Sequence, residues 1–147
     1  MPPVEPRSGS PDGEQRELLN VDIPADGDAI GEVADQVSQI LLGLGIPEEK
    51  QMEVSLALQE ALANAVKHGC GGDPSKSVHC RLSTDDRSRL LIVVSDPGPG
   101  MDVSAVPDPK AEENLYRDHG RGIYLIRRLM DDVRFERGGR EIRMWKY

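Results

Sequence analysis

The chain predicts an α+β fold, a two-layer α/β sandwich with its helices packed on one face of a mixed or antiparallel sheet. Three observations carry that prediction. The elements read in the order strand, two helices, two strands, long loop, helix, two strands. The helices are grouped instead of alternating singly with strands, which disfavours a doubly wound parallel sheet. Both later pairs of strands also read as hairpins, whose partners are necessarily antiparallel.

The amino terminus, "MPPVEPRSGSPDGEQ", is rich in Pro, Gly, Ser and charge with almost nothing to bury, the composition of a disordered tail. Residues 1–15 are therefore set aside, and 16–147 read as one domain. "ELLNVDIP" predicts a strand stopped by Pro24. Asp26 or Asp28 then caps a helix carrying Ile30, Val33, Val37, Ile40, Leu41 and Leu44, closed at Gly45. Pro47 suits a first helical position, and Glu48 and Glu49 suit the positive end of the helix dipole, so a second helix is expected to run to about His68 and stop at Gly69. "SVHCRLST" and "RLLIVVSD" form a hairpin about Asp85 and Asp86, the second apolar enough to be a central strand. The segment from Pro97 to Gly120 is too long for an ordinary connection and reads as a functional loop or lid. Ile123, Ile126, Leu129 and Met130 then have helical spacing, and "VRFERGGREIRMWKY" is a terminal hairpin turned at Gly138 and Gly139.

Composition narrows the function. A formal charge of -8 argues against a nucleic-acid binder, which must neutralise phosphates, and the 3% aromatic content provides no stacking platform. Cys70 and Cys80 have neither disulfide-framework nor zinc-site spacing, and the three histidines have no metal-ligand spacing. No apolar run approaches the ~18–20 residues that cross a bilayer. A cytoplasmic protein with no membrane and no direct nucleic-acid partner is expected.

Three segments could carry chemistry. At about 100° per residue, Glu60, Asn64 and Lys67 fall in one stripe of the second helix, opposite Leu58, Leu62, Ala65 and Val66. Either this is a solvated face with a contact between Glu60 and Asn64, or it is a site on a rigid scaffold. "SDPGPGMD" is at least a turn. Its glycines also permit close approach of a planar ligand, and Asp96 at the strand end can accept a hydrogen bond from an exocyclic amine. In "DHGRGIYLI", Gly120 and Gly122 precede a helix, whose unpaired N–H groups make a phosphate seat. The segment does not fit the dinucleotide pattern, because Leu125 stands where a third glycine is required. "CGGDPSKS" is likewise no P-loop, since Ser75 precedes the lysine.

In this order the segments resemble the motifs of the GHKL ATPase superfamily, and most closely its small anti-sigma factor kinases of the serine-kinase type, from about Glu17 to the end. "EALANAVKHG" is similar to the N box, "DPGPGMD" to the first glycine box, "GRGIYLI" to the second, and "PDPKAEENLYRDHGRG" to the ATP lid. Ala63 stands where some relatives carry threonine, and Tyr124 where smaller residues also occur.

The resemblance implies the Bergerat ATP-binding fold, Mg²⁺ held through Asn64, and Glu60 as general base. It also implies Asp96 on the adenine amino group, Gly98 and Gly100 close to the base, and Gly120, Arg121 and Gly122 at the phosphates. The implied substrate is a serine (or threonine) of a STAS-type anti-sigma factor antagonist, the other partner is an RNA polymerase sigma factor, and dimerisation through the sheet edge is common among relatives. Two other functions stay open at this point. One is a non-catalytic ATP-binding module for partner recognition, against which Glu60 weighs. The other is the ATPase domain of a histidine kinase, although the segment before Glu17 contains no phosphoacceptor histidine.

Overall fold

The structure, a computed structural model, describes residues 15–71, 73, 75–98 and 118–147, with the side chains of 118–121 excepted. The tail up to residue 14, Gly100 and most of the expected lid lie outside the described residues.

The first strand, β1 (Gln15–Pro24), begins one residue before the expected domain boundary, and Gln15 pairs with Asp85. Helix α1 (Gly27–Gly43) is capped by Asp26, whose carboxylate accepts from the Ala29 N–H at 2.9 Å. That settles which of the two aspartates performs the capping. Gly45 follows the helix with φ of +76°, a conformation that glycine adopts without strain. Helix α2 (Glu48–Asn64) starts after Pro47, with Glu48 and Glu49 in its first turn. It then widens into a single π-turn over Ala65–Gly69, closed by the Cys70 N–H on the Ala65 carbonyl at 3.0 Å. The predicted extent therefore holds, and its winding differs.

Strands β2 (Ser77–Asp85) and β3 (Leu90–Ser95) form the expected hairpin. Its turn is organised by Asp85, which accepts from the Arg87 and Arg89 N–H groups and from Arg89 Nε. Helix α3 (Asp118–Leu129) leads into β4 (Asp132–Glu136) and β5 (Glu141–Lys146), with left-handed Gly138 and Gly139 between the last two strands.

The strands align in the order β1-β2-β3-β5-β4, with every described pairing antiparallel and β3 at the centre. Alternation along the strands sends Val78, Cys80, Leu82, Leu90, Ile92, Val94, Ile142 and Met144 into one core with Val37 and Leu41 of α1, Leu58 and Leu62 of α2 and Ile126 of α3. Leu91, Val93 and Trp145 form a separate cluster on the other face, where the Arg134 guanidinium lies 5.0 Å from the Trp145 ring centroid. The outcome is two layers, with the described helices on one face. Cys70 and Cys80 are free and buried, and burial pushes the Cys80 thiol up to about 12. No described helix is long and apolar enough to cross a membrane.

Candidate functional site

A cleft of about 490 Å³, counted with its open mouth, lies between the C-terminal half of α2, the start of α3 and the ends of β3 and β5. Asn64, His68, Gly69, Asp96, Ile123 and Arg140 are among its lining residues. Its walls are largely apolar, with Ala61, Ala65, Val94, Phe135 and Ile142 among them.

Asp96 stands at one end of the cleft, where β3 finishes. Its N–H donates to the Arg140 carbonyl at 2.9 Å, and its carboxylate accepts the Gly98 N–H at 2.8 Å. Burial pushes this carboxyl above the usual range, opposed by the Gly98 N–H and the Arg140 guanidinium. The packing here depends on two glycines. A Cβ on Gly69 would overlap the Asp96 carboxylate, and one on Gly98 would overlap the Gly69 carbonyl. The π-turn brings the Gly69 backbone to this position, and such turns recur at functional sites.

Glu60 and Asn64 stand at the other end, one turn apart on α2 and both partly buried. A Cβ on Gly122 would stand 3.0 Å from Asn64 Nδ2 and 3.1 Å from Glu60 Oε1, so the backbone of α3 rests directly on the two polar side chains. This contact rules out a fully solvated face at Glu60 and Asn64. Glu60 and Asn64 face a neighbouring helix beside a cleft, whereas Lys67 is exposed.

Asn64 and Asp96 line the cleft themselves, and Glu60 lies one turn beyond Asn64. Gly98 meets Asp96 and Gly69. Gly120, Arg121 and Gly122 were expected just before the helix, but α3 already begins at Asp118 and includes all three. The low helix propensity of glycine made a later start the natural expectation, yet at Gly122 the missing side chain is what allows α3 to approach α2. Gly100 lies outside the described residues. Sequence reading did not identify Gly69, His68 or Arg140 as part of the site. Gly69 reads in the sequence as an ordinary helix stop, and no sequence motif marks Arg140.

The arrangement can hold a flat ligand between apolar walls, present a carboxylate to it at one end, and offer a carboxamide and a second carboxylate at the other. Residues 23–146 match the model of the histidine kinase-like ATPase domain. The chain is 25% identical over 138 residues to the serine-protein kinase RsbW of Bacillus subtilis (strain 168), covering 89% of this chain and 86% of that one. With the serine-protein kinase RsbW of Halalkalibacterium halodurans it is 31% identical over 128 residues, covering 81% and 75%. Among solved structures, a chain of the SiaB-SiaC complex from Pseudomonas aeruginosa superposes with a TM-score of 0.64 at 15% identity over 88% of this chain and 89% of that one, a likeness of fold. With the family model matched over residues 23–146, most of its length, the chain belongs to the histidine kinase-like ATPase domain family.

Proposed function

We propose that this chain is an ATP-dependent protein serine/threonine kinase of the anti-sigma type. It binds Mg-ATP, phosphorylates a serine (or threonine) of a STAS-type anti-sigma factor antagonist, and sequesters a sigma factor once the antagonist is phosphorylated. The name shared by the RsbW relatives supports the activity. The observation that carries it is the division of the cleft, with Asp96 at one end and Asn64, followed by Glu60, at the other.

In this reading Asp96 accepts a hydrogen bond from the adenine amino group, and the close stacking of Gly69 against Gly98 shapes the floor beside it. Phosphates lie toward Gly120 and Arg121 in the first turn of α3, whose unpaired N–H groups favour negative charge, with Gly122 following in the next turn. The donor set suits Mg²⁺, because a carboxamide oxygen is a hard ligand and phosphates and water complete its shell. Asn64 would hold the ion, which when bound neutralises charge on the phosphates. Glu60 accepts the proton of the acceptor hydroxyl as that oxygen bonds to the γ-phosphorus and the bond to the bridging oxygen breaks, releasing ADP. A homodimer and a cytoplasmic location belong to the same proposal.

The test is transfer of labelled γ-phosphate to a candidate antagonist, alongside calorimetric Mg-ATP affinity, for the parent and Asn64→Ala. The parent should label the antagonist, and Asn64→Ala should lose about tenfold or more in Mg-ATP affinity together with most of the transfer. A parent that binds ATP and a sigma factor tightly but labels no antagonist would instead be a non-catalytic binding module.

A further inference from the structure

Among the described residues, five large apolar side chains are exposed: Leu42, Leu44, Met52, Leu56 and Tyr147. Two of them share the helix that carries Glu60. Met52 is 58% exposed and Leu56 46%. They are one turn apart, and the same four-residue step leads from Leu56 to Glu60 and on to Asn64. Exposed Gln59 and Ala63 continue the ridge beside the polar pair. At a rise of about 1.5 Å per residue, Leu56 lies ~6 Å and Met52 ~12 Å from Glu60 along the axis.

The packing of α2 does not require these side chains. Its core contribution comes from Val54, Ala57, Leu58, Ala61 and Leu62, all buried. A helix with that duty alone carries polar residues on its outer face, as α2 does at Glu48, Glu49 and Gln59.

We propose that Met52 and Leu56 are the docking ridge for the protein that presents the acceptor hydroxyl, an inference that rests on the kinase reading above. The occupant follows from reach. A general base must come within about 3 Å of the proton it takes, and a serine side chain is short, so the backbone carrying that serine lies over α2 at Glu60. Toward the C-terminus the helix runs into Asn64 and the nucleotide cleft. A folded substrate is therefore accommodated on the other side, over Leu56 and Met52. Its matching surface is apolar beside the acceptor serine. The exposed Glu48 and Glu49 at the start of α2 favour a partner that is basic beside its apolar patch.

The experiment uses the full chain with Met52→Arg and Leu56→Arg, singly and together, and the milder Met52→Ala/Leu56→Ala pair. Steady-state phosphorylation of the antagonist, calorimetric ATP affinity, sigma-factor affinity and thermal melting are measured for each. The expected result is a KM for the antagonist raised about tenfold or more in the double arginine variant, on the scale of a lost apolar anchor, and raised less in the alanine pair. ATP affinity, melting and kcat at saturating antagonist stay at parent values. Asn20→Arg, on the outer face of β1, leaves the KM unchanged. An unchanged KM in the double variant of a parent that does transfer phosphate overturns the ridge and leaves the kinase reading standing. Weakened sigma-factor binding with an unaltered antagonist KM also overturns it, by giving the ridge to the other partner. A parent that phosphorylates no antagonist removes the kinase reading itself, and the proposed occupant with it.

Discussion

Asp96 leaves β3 with its N–H held by the Arg140 carbonyl and its carboxylate partly withdrawn from water. Burial raises its pKa, so the folded state holds the proton more tightly than the unfolded state does. The stability cost of the ionised group is present above the raised folded value and absent below the ordinary unfolded value near ~4. Asp96→Asn removes that cost and retains an oxygen to accept the Gly98 N–H. The apo variant is therefore expected to melt higher than the parent at neutral pH, with the difference shrinking as the pH falls through the acid range, while its affinity for ATP drops. Melting curves across pH with matched calorimetry check both halves, and an unaltered ATP affinity would remove Asp96 from base recognition. Its place at the end of the most apolar strand made this residue legible in the sequence. Gly69 was not, because its need for glycine arises from residues 96 and 98, contacts that local pattern does not encode.

Among the elements, α2, α3 and β5 are tied by Lys146. Its ammonium is nearly buried, donates to the Leu129 carbonyl at the end of α3 at 2.6 Å, and meets Glu53 of α2 at 2.8 Å. A cation at a helix C-terminus satisfies an unpaired carbonyl and complements the dipole. Lys146→Met keeps the apolar stem but leaves those acceptors without their donor. It is expected to cost about 1–3 kcal/mol, read from urea denaturation, with Glu53→Gln costing less because Glu53 is partly solvated. A Lys146→Met variant as stable as the parent would show that the tie contributes nothing. In the sequence Lys146 was only the end of a strand. The period of α2 was readable because buried leucines repeat on one side of it, whereas the π-turn was not, since one added residue per turn leaves the apolar pattern almost intact. The early start of α3 was hidden by its own glycines, whose low propensity is outweighed where Gly122 lets two helices meet.

At the scale of the molecule, the two hairpins and the helix grouping were enough to predict an α+β layer, because short connections and alternation are local signals. The placement of β5 beside β3 and of β1 beside β2 joins segments far apart in the chain, and nothing in the local pattern specifies it. That placement builds the cleft, since Arg140 and Ile142 meet Asp96 and Val94 only when β5 lies against β3. The fold thus brings Asp96 and Asn64 onto one cleft with Glu60 a turn beyond, and the central claim is that Glu60 performs the proton transfer there. The most direct measurement is γ-phosphate transfer to the antagonist by Glu60→Gln, with Mg-ATP affinity determined on the same preparation. The glutamine keeps shape and hydrogen bonding but cannot take a proton at neutral pH, so nucleotide binding should stay near the parent value while transfer falls by about 10²-fold or more. Transfer at the parent rate by this variant would contradict the account.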